Sequence, residues 1–212
     1  MWLDISLIVI ILSGIVLLGS SRIGTIIQLF AFQSLVLSSI PLQVDRAGLN
    51  WHVLTIAFGT LIVKVFVMPN FLFWAIRHVR LRREAPTILG YGKTMLLGGI
   101  LVGMAFYISS KLTLPDRYFS RLFIPAAFSI FAIGLLLLVS RVKAITQVIG
   151  YLVMENGIFL FSMLLLDKTP FLIEMGILLD IFVAVLVMSI VINNITEDYE
   201  DTNTLNLTTL RD

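Results

Sequence analysis

The sequence of 212 residues contains no cysteine and only two histidines, His52 and His78. Without thiolates the chain holds no disulfide, no iron–sulfur cluster, no cysteine nucleophile and no thiolate metal site. The two histidines fall in or beside different connectors between apolar runs, so no metal site can be drawn around them. Charge is scarce as well. Asp, Glu, Lys and Arg make up 13% of the residues, where soluble domains carry about 25%. That leaves too little polar surface to cover a protein standing in water. There is no phosphate-binding glycine loop, no nucleophile elbow and no HExxH zinc motif, and nothing in the pattern suggests nucleic-acid binding. A cleavable leader is not expected. The opening Met1-Trp2-Leu3-Asp4 lacks a basic n-region, and no small-residue cleavage site follows the first apolar run.

What the chain has in abundance is apolar residues, 58% of the total, with a mean hydropathy of +1.01. A helix needs about 20 apolar residues to cross a bilayer. Seven stretches qualify: 4–20, 23–43, 51–76, 88–110, 119–140, 144–166 and 170–194. The expected fold class is an all-α membrane protein of seven transmembrane helices. Polar or turn-forming residues mark the junctions, among them Ser20-Ser21-Arg22, Asp45-Arg46-Ala47-Gly48 and Asp167-Lys168-Thr169-Pro170. Pro69 is expected to kink helix 3 and free backbone carbonyls. Trp2, Trp51 and Trp74 lie near span ends, as interface anchors do.

Basic residues collect on the cytoplasmic side of a membrane protein. Seven spans put Arg77, Arg80, Arg82 and Arg83 on one side with Arg22, Lys93, Arg141, Lys143 and Arg211. Arg46, Lys111, Arg117, Arg121 and Lys168 fall on the other. This predicts an outside N-terminus and a cytoplasmic C-terminus. The net charge of +2 records this topology and does not point to an acidic ligand.

An internal likeness organises the chain further. Leu18-Gly19-Ser20-Ser21-Arg22-Ile23-Gly24-Thr25-Ile26-Ile27-Gln28 resembles Leu137-Leu138-Val139-Ser140-Arg141-Val142-Lys143-Ala144-Ile145-Thr146-Gln147. Ser21/Ser140, Arg22/Arg141, Ile26/Ile145 and Gln28/Gln147 coincide. Two explanations are open: chance likeness between apolar segments, or two parallel copies of a three-helix unit, a design common in transport proteins. On the second, residues 1–80 form the first unit and 81–115 a linker helix with a basic loop. Residues 116–196 form the second unit, and 197–212 a polar acidic tail.

Four ionisable residues lie well inside spans: Lys64, Glu155, Glu174 and Asp180. Placing such a group at a helix centre costs about 2.5–3.5 kcal/mol on the translocon scale. Each needs a buried partner, a wet cavity or a change of protonation, and function is the default hypothesis. Glu155 sits mid-helix in Leu152-Val153-Met154-Glu155-Asn156-Gly157. It could exchange a proton, pair with a lysine, or merely pin helix packing through one hydrogen bond. Asn156 adds an amide, and Gly157 lets another helix come close. Asp180, central in helix 7, has the same options. Glu174 lies about 9 Å nearer the outer end, where it could snorkel toward Lys168. Lys64 is either a relay residue or the structural partner of one of the acids. Gln28 and Gln147 could support a relay or serve as packing glue. Gly98-Gly99-Ile100-Leu101-Val102-Gly103 in helix 4 has small residues at four-residue spacing, a signal of close helix contact.

The segment Ile145-Thr146-Gln147-Val148-Ile149-Gly150-Tyr151-Leu152-Val153-Met154-Glu155-Asn156-Gly157-Ile158-Phe159 resembles the E-type membrane subunit of hydrogenase-4 and formate hydrogenlyase complexes, and Gly176-Ile177-Leu178-Leu179-Asp180-Ile181-Phe182-Val183 fits as well. That subunit is in turn similar to the K-type membrane subunit of respiratory complex I and the C-type subunit of Mrp antiporters. The resemblance implies a multi-pass subunit in the plasma membrane of a bacterium or archaeon. It implies a role in the membrane arm of a redox-driven complex, with Glu155 and Asp180 as relay carboxyls and Lys64 at the matching polar position of the first unit. The family's first acid would fall at Leu152, so Glu155 stands about one helical turn away. Glu174 has no counterpart. The partners implied are antiporter-like membrane subunits, a quinone-subunit-like membrane partner and a peripheral hydrogenase arm. Iron–sulfur clusters and, in hydrogenases, nickel–iron sit in those partners, with no cofactor in this chain. Two other classes stay open: a self-contained secondary transporter, and a scaffold subunit with no proton role.

Overall fold

A computed structural model describes residues 1–44, 58–59, 61–78, 87–112, 120–164, 182–183, 185 and 187–189. Among them the regular structure is helical. α1 is Trp2–Gly19 and α2 is Ile23–Val44. α3 opens as a π-helix, Leu61–Val67, and continues as an α-helix, Met68–His78. α4 is Tyr91–Lys111, α5 Phe123–Ser140 and α6 Ala144–Leu164. α1, α2, α4, α5 and α6 are each long and apolar enough to cross a membrane, so the chain is a multi-pass membrane protein. Helix 7 of the sequence reading lies mostly outside the described residues, and so do Glu174, Asp180, His52, Trp51 and the acidic tail. Its described residues Val183 and Val187 are buried in the common core.

The π-helical turn is the form that the disturbance at Pro69 takes. Proline has no N–H for the carbonyl four residues back, and its ring collides with that carbonyl. The turns just before Pro69 are wound as a π-helix, which shifts the hydrogen-bond pattern by one residue. Lys64 lies in this segment and is buried.

Contacts at the helix ends fix the arrangement. Ser6 on α1 meets Gln43 on α2, and Ser120, just before α5, donates to Asp4 on α1. At the other end Arg141, just after α5, donates from Nη2 to the carbonyls of Leu17, Leu18 and Ser20 at 3.3, 3.1 and 2.9 Å. α1 and α5 therefore run parallel, and α2 runs against α1. Arg141 is fully buried. Its guanidinium serves the carbonyls that the end of α1 leaves without helical partners and lies 5.5 Å from the ring of Tyr91. Burial lowers its pKa, but a guanidinium starts high enough to stay charged. Arg22, its match in the internal likeness, is exposed.

α5 and α6 pack antiparallel through glycines. A Cβ at Gly134 would lie 2.2 Å from the Met154 nitrogen. At Gly150 it would lie 2.5 Å from the Leu138 nitrogen, and at Gly157 2.5 Å from the Phe131 nitrogen. All three neighbours are backbone atoms, so the two helices approach as closely as they do because these residues lack a side chain. α4 is peripheral: 17% of its span is buried, against 61% for α5 and for α6. Of its glycines, Gly98 faces Leu18, while Gly99 and Gly103 have no atom of the described residues within 4 Å. Among the described residues, the glycine of this run that makes a helix contact is Gly98.

Candidate functional site

The cluster is built at the midpoints of helices. Glu155 and Asn156 are central in α6, Gln33 and Ser34 central in α2, and Ile10 central in α1. α3 adds Lys64. All four side chains from α2 and α6, and that of Lys64, are buried, with Lys64 and Glu155 each 3% exposed. Lys64 Nζ donates to Glu155 Oε1 at 2.7 Å and to Asn156 Oδ1 at 3.3 Å. Asn156 Nδ2 donates to Gln33 Oε1 at 3.3 Å and lies 3.4 Å from Ser34 Oγ. Gln33 Nε2 donates to the Ile10 carbonyl at 3.2 Å, which Ser13 Oγ also reaches at 2.8 Å. The Lys64 ammonium lies 5.8 Å from the centre of the Phe159 ring. One polar thread thus joins α1, α2, α3 and α6 in the middle of an otherwise apolar bundle.

The sequence left open which acid Lys64 meets, and it is Glu155. Asn156 joins them. The other proposed supports lie elsewhere. Gln28 is exposed on α2, and Gln147 donates to the Arg141 carbonyl at 2.9 Å, two turns down α6 from Glu155. Gln33 and Ser34 were not singled out by sequence reasoning. The signal that finds them is depth: Gln33 lies midway along its span, whereas Gln28 was chosen for its match to Gln147. No group of three His, Asp or Glu residues able to hold a metal occurs among the described residues.

A buried ion pair has two chemical resources. Its members can exchange a proton with each other, or one can take a proton from outside and change the net charge of the site. Desolvating two charges roughly offsets their attraction, so such a pair is weak evidence for a stabilising role. A groove of about 550 Å³ between α1, α2 and the start of α3 is lined by Ser6, Ser38, Ser39, Phe58 and Leu61 among others. Leu61 is one turn from Lys64.

Fold and site together define a multi-pass helical membrane protein with a charged cluster buried at mid-span. The chain is similar to hydrogenase-4 component E of Escherichia coli (strain K12), at 29% identity over 182 residues, 86% of this chain and 84% of that protein. The same component of Shigella flexneri matches equally. The uncharacterized protein Rv0085 of Mycobacterium tuberculosis is 25% identical over 204 residues, 96% of this chain and 93% of its own. No family model and no solved structure matches the chain. The resemblance to component E of hydrogenase-4, read in the length and helix count of the chain and in the motifs of helices 5–7, is met by similarity over most of the chain.

Proposed function

We propose that this chain is a membrane subunit of a multisubunit, hydrogenase-type redox complex, and that Lys64 and Glu155 are where it handles charge. One observation carries the reading: a lysine and a glutamate 2.7 Å apart, both buried, at the centre of a membrane bundle and joined to two amides. The similarity to hydrogenase-4 component E supports the setting. In this reading the carboxyl changes protonation as charge moves in neighbouring subunits, and the pair forms one station of a proton or ion path along the membrane. Asp180 and Glu174 would be further stations. Antiporter-like and quinone-subunit-like membrane partners would flank the chain, and a peripheral arm would hold the iron–sulfur and nickel–iron centres. The basic end near Arg22, Arg77, Lys93 and Arg141 faces the cytoplasm, so the N-terminus lies outside.

The test uses the intact complex in native membranes. Glu155→Gln, which keeps an acceptor beside Lys64, is expected to leave assembly and dye-linked redox turnover in place, while redox-driven proton movement falls by about 10²-fold. Assembly is followed by native electrophoresis and proton movement by a pH-sensitive dye in sealed vesicles. Undiminished proton movement in an assembled Glu155→Gln complex would favour the scaffold reading. Purification in mild detergent as a lone monomer or homodimer would favour a self-contained transporter.

A further inference from the structure

An asparagine or glutamine amide has a donor side and an acceptor side, and its partners decide which way it points. The Ile10 carbonyl cannot donate, so Gln33 meets it with Nε2, at 3.2 Å. This turns Gln33 Oε1 toward α6, where it accepts from Asn156 Nδ2 at 3.3 Å. With its nitrogen engaged there and near Ser34 Oγ, Asn156 presents Oδ1 to Lys64, 3.3 Å from Nζ. The two amides are aligned head to tail, with each oxygen on the side of the cation. Such an alignment polarises each acceptor in turn.

We propose that Gln33 is a positioning residue. Acting through Asn156, it holds an acceptor on Lys64, so that Lys64 stays an ammonium while Glu155 is the member of the pair that gains and loses the proton. This rests on the charge-handling reading of the pair and adds which group moves. The step is simple in its balance: the Glu155 carboxylate takes one proton and becomes a carboxylic acid, and the three N–H bonds of Lys64 are unchanged. Among the described residues Lys64 is the charged side chain facing Glu155. When the carboxylate is neutralised, the ammonium still has the Asn156 oxygen and the face of the Phe159 ring. An acceptor oxygen binds an ammonium more strongly than a neutral amine, so Asn156 Oδ1 favours the charged form of Lys64.

Isotope-edited infrared spectroscopy of the full chain in lipid nanodiscs tests this, with Glu155→Gln used to assign the Glu155 band. In the unaltered chain that band converts between carboxylate and acid as pH is varied. Gln33→Met, similar in length but without the amide, lowers the ratio of acid to carboxylate at a given pH by about tenfold, the scale of one charge-assisted hydrogen bond, because an ammonium without a firmly held Asn156 oxygen depends more on the carboxylate. Gln33→Asn keeps an amide with shorter reach. It shifts the ratio the same way and covers the case in which Gln33→Met does not fold. In an Asn156→Leu background Gln33→Met adds nothing, since its effect passes through that side chain. A merely structural role would leave the ratio alone. Folded Gln33 variants with an unchanged ratio, or an additive shift in the Asn156→Leu background, overturn the positioning role and leave the reading of the pair intact. A Glu155 band that never changes protonation in the unaltered chain overturns that reading and the positioning role with it.

Discussion

Removing one member of the Lys64–Glu155 pair strands the other in the apolar interior. Glu155→Leu leaves the ammonium without its carboxylate, and Lys64→Met leaves the carboxylate without its cation. Each such loss at a buried pair costs about 3–5 kcal/mol. The double variant strands neither charge. It still removes the donor to Asn156 Oδ1, and an unsatisfied buried acceptor costs about 1–3 kcal/mol. The double is therefore expected near that smaller value, well below the sum of the singles. Polar contacts in bilayers show couplings of about 0.6 kcal/mol on average and up to about 1.7, so a coupling clearly above that range marks an ion pair. Denaturation by dodecyl sulfate in mixed micelles gives all four stabilities. Additive singles would refute the assignment of Lys64 and Glu155 as a coupled buried pair.

Two further outcomes follow from packing. Gly157→Ala places a methyl 2.5 Å from the Phe131 nitrogen, which backbone cannot yield, so unfolding free energy should fall by about 1–3 kcal/mol. Gly99→Ala and Gly103→Ala meet no atom of the described residues within 4 Å and should stay within about 0.5 kcal/mol of the unaltered chain in the same assay. Arg141→Leu withdraws the donor from three carbonyls at the end of α1. It should cost about 1–3 kcal/mol and speed backbone hydrogen exchange in the last turn of α1, read by mass spectrometry.

Hydropathy is read along the chain, and what it measures was legible. α1, α2, α4, α5 and α6 begin and end within a few residues of the apolar runs that announced them. Pro69 signalled a disturbance, and Gly157 a close contact. What the sequence could not give is which helix faces meet. Lys64 had three acids to choose from in the spans, and nothing in its own run Leu61-Ile62-Val63-Lys64 names α6. Gln28 and Gln33 are the same residue type in the same helix, yet one is exposed and the other fully buried. The difference is about 140° of rotation and about 7.5 Å of depth. Arg22 and Arg141 make the same point, since matching local sequence places one on the surface and the other inside the end of α1.

Stability alone gives no reason for the pair at the centre of this bundle. Two desolvated charges roughly break even with apolar side chains of the same volume, and a methionine and a leucine would close α3 onto α6 without any risk of stranding a charge. What an apolar pair lacks is a second state. One proton on Glu155 changes the charge of the whole site by one unit, at a depth where little screens that change. The amides of Asn156 and Gln33 extend the site to α2 and α1, so those helices too are exposed to the change. In the reading proposed here, a double variant of near-normal stability that no longer responds to charge in its partners would separate the two roles directly. The helices would still be held together, and the site would have lost the charged pair described here.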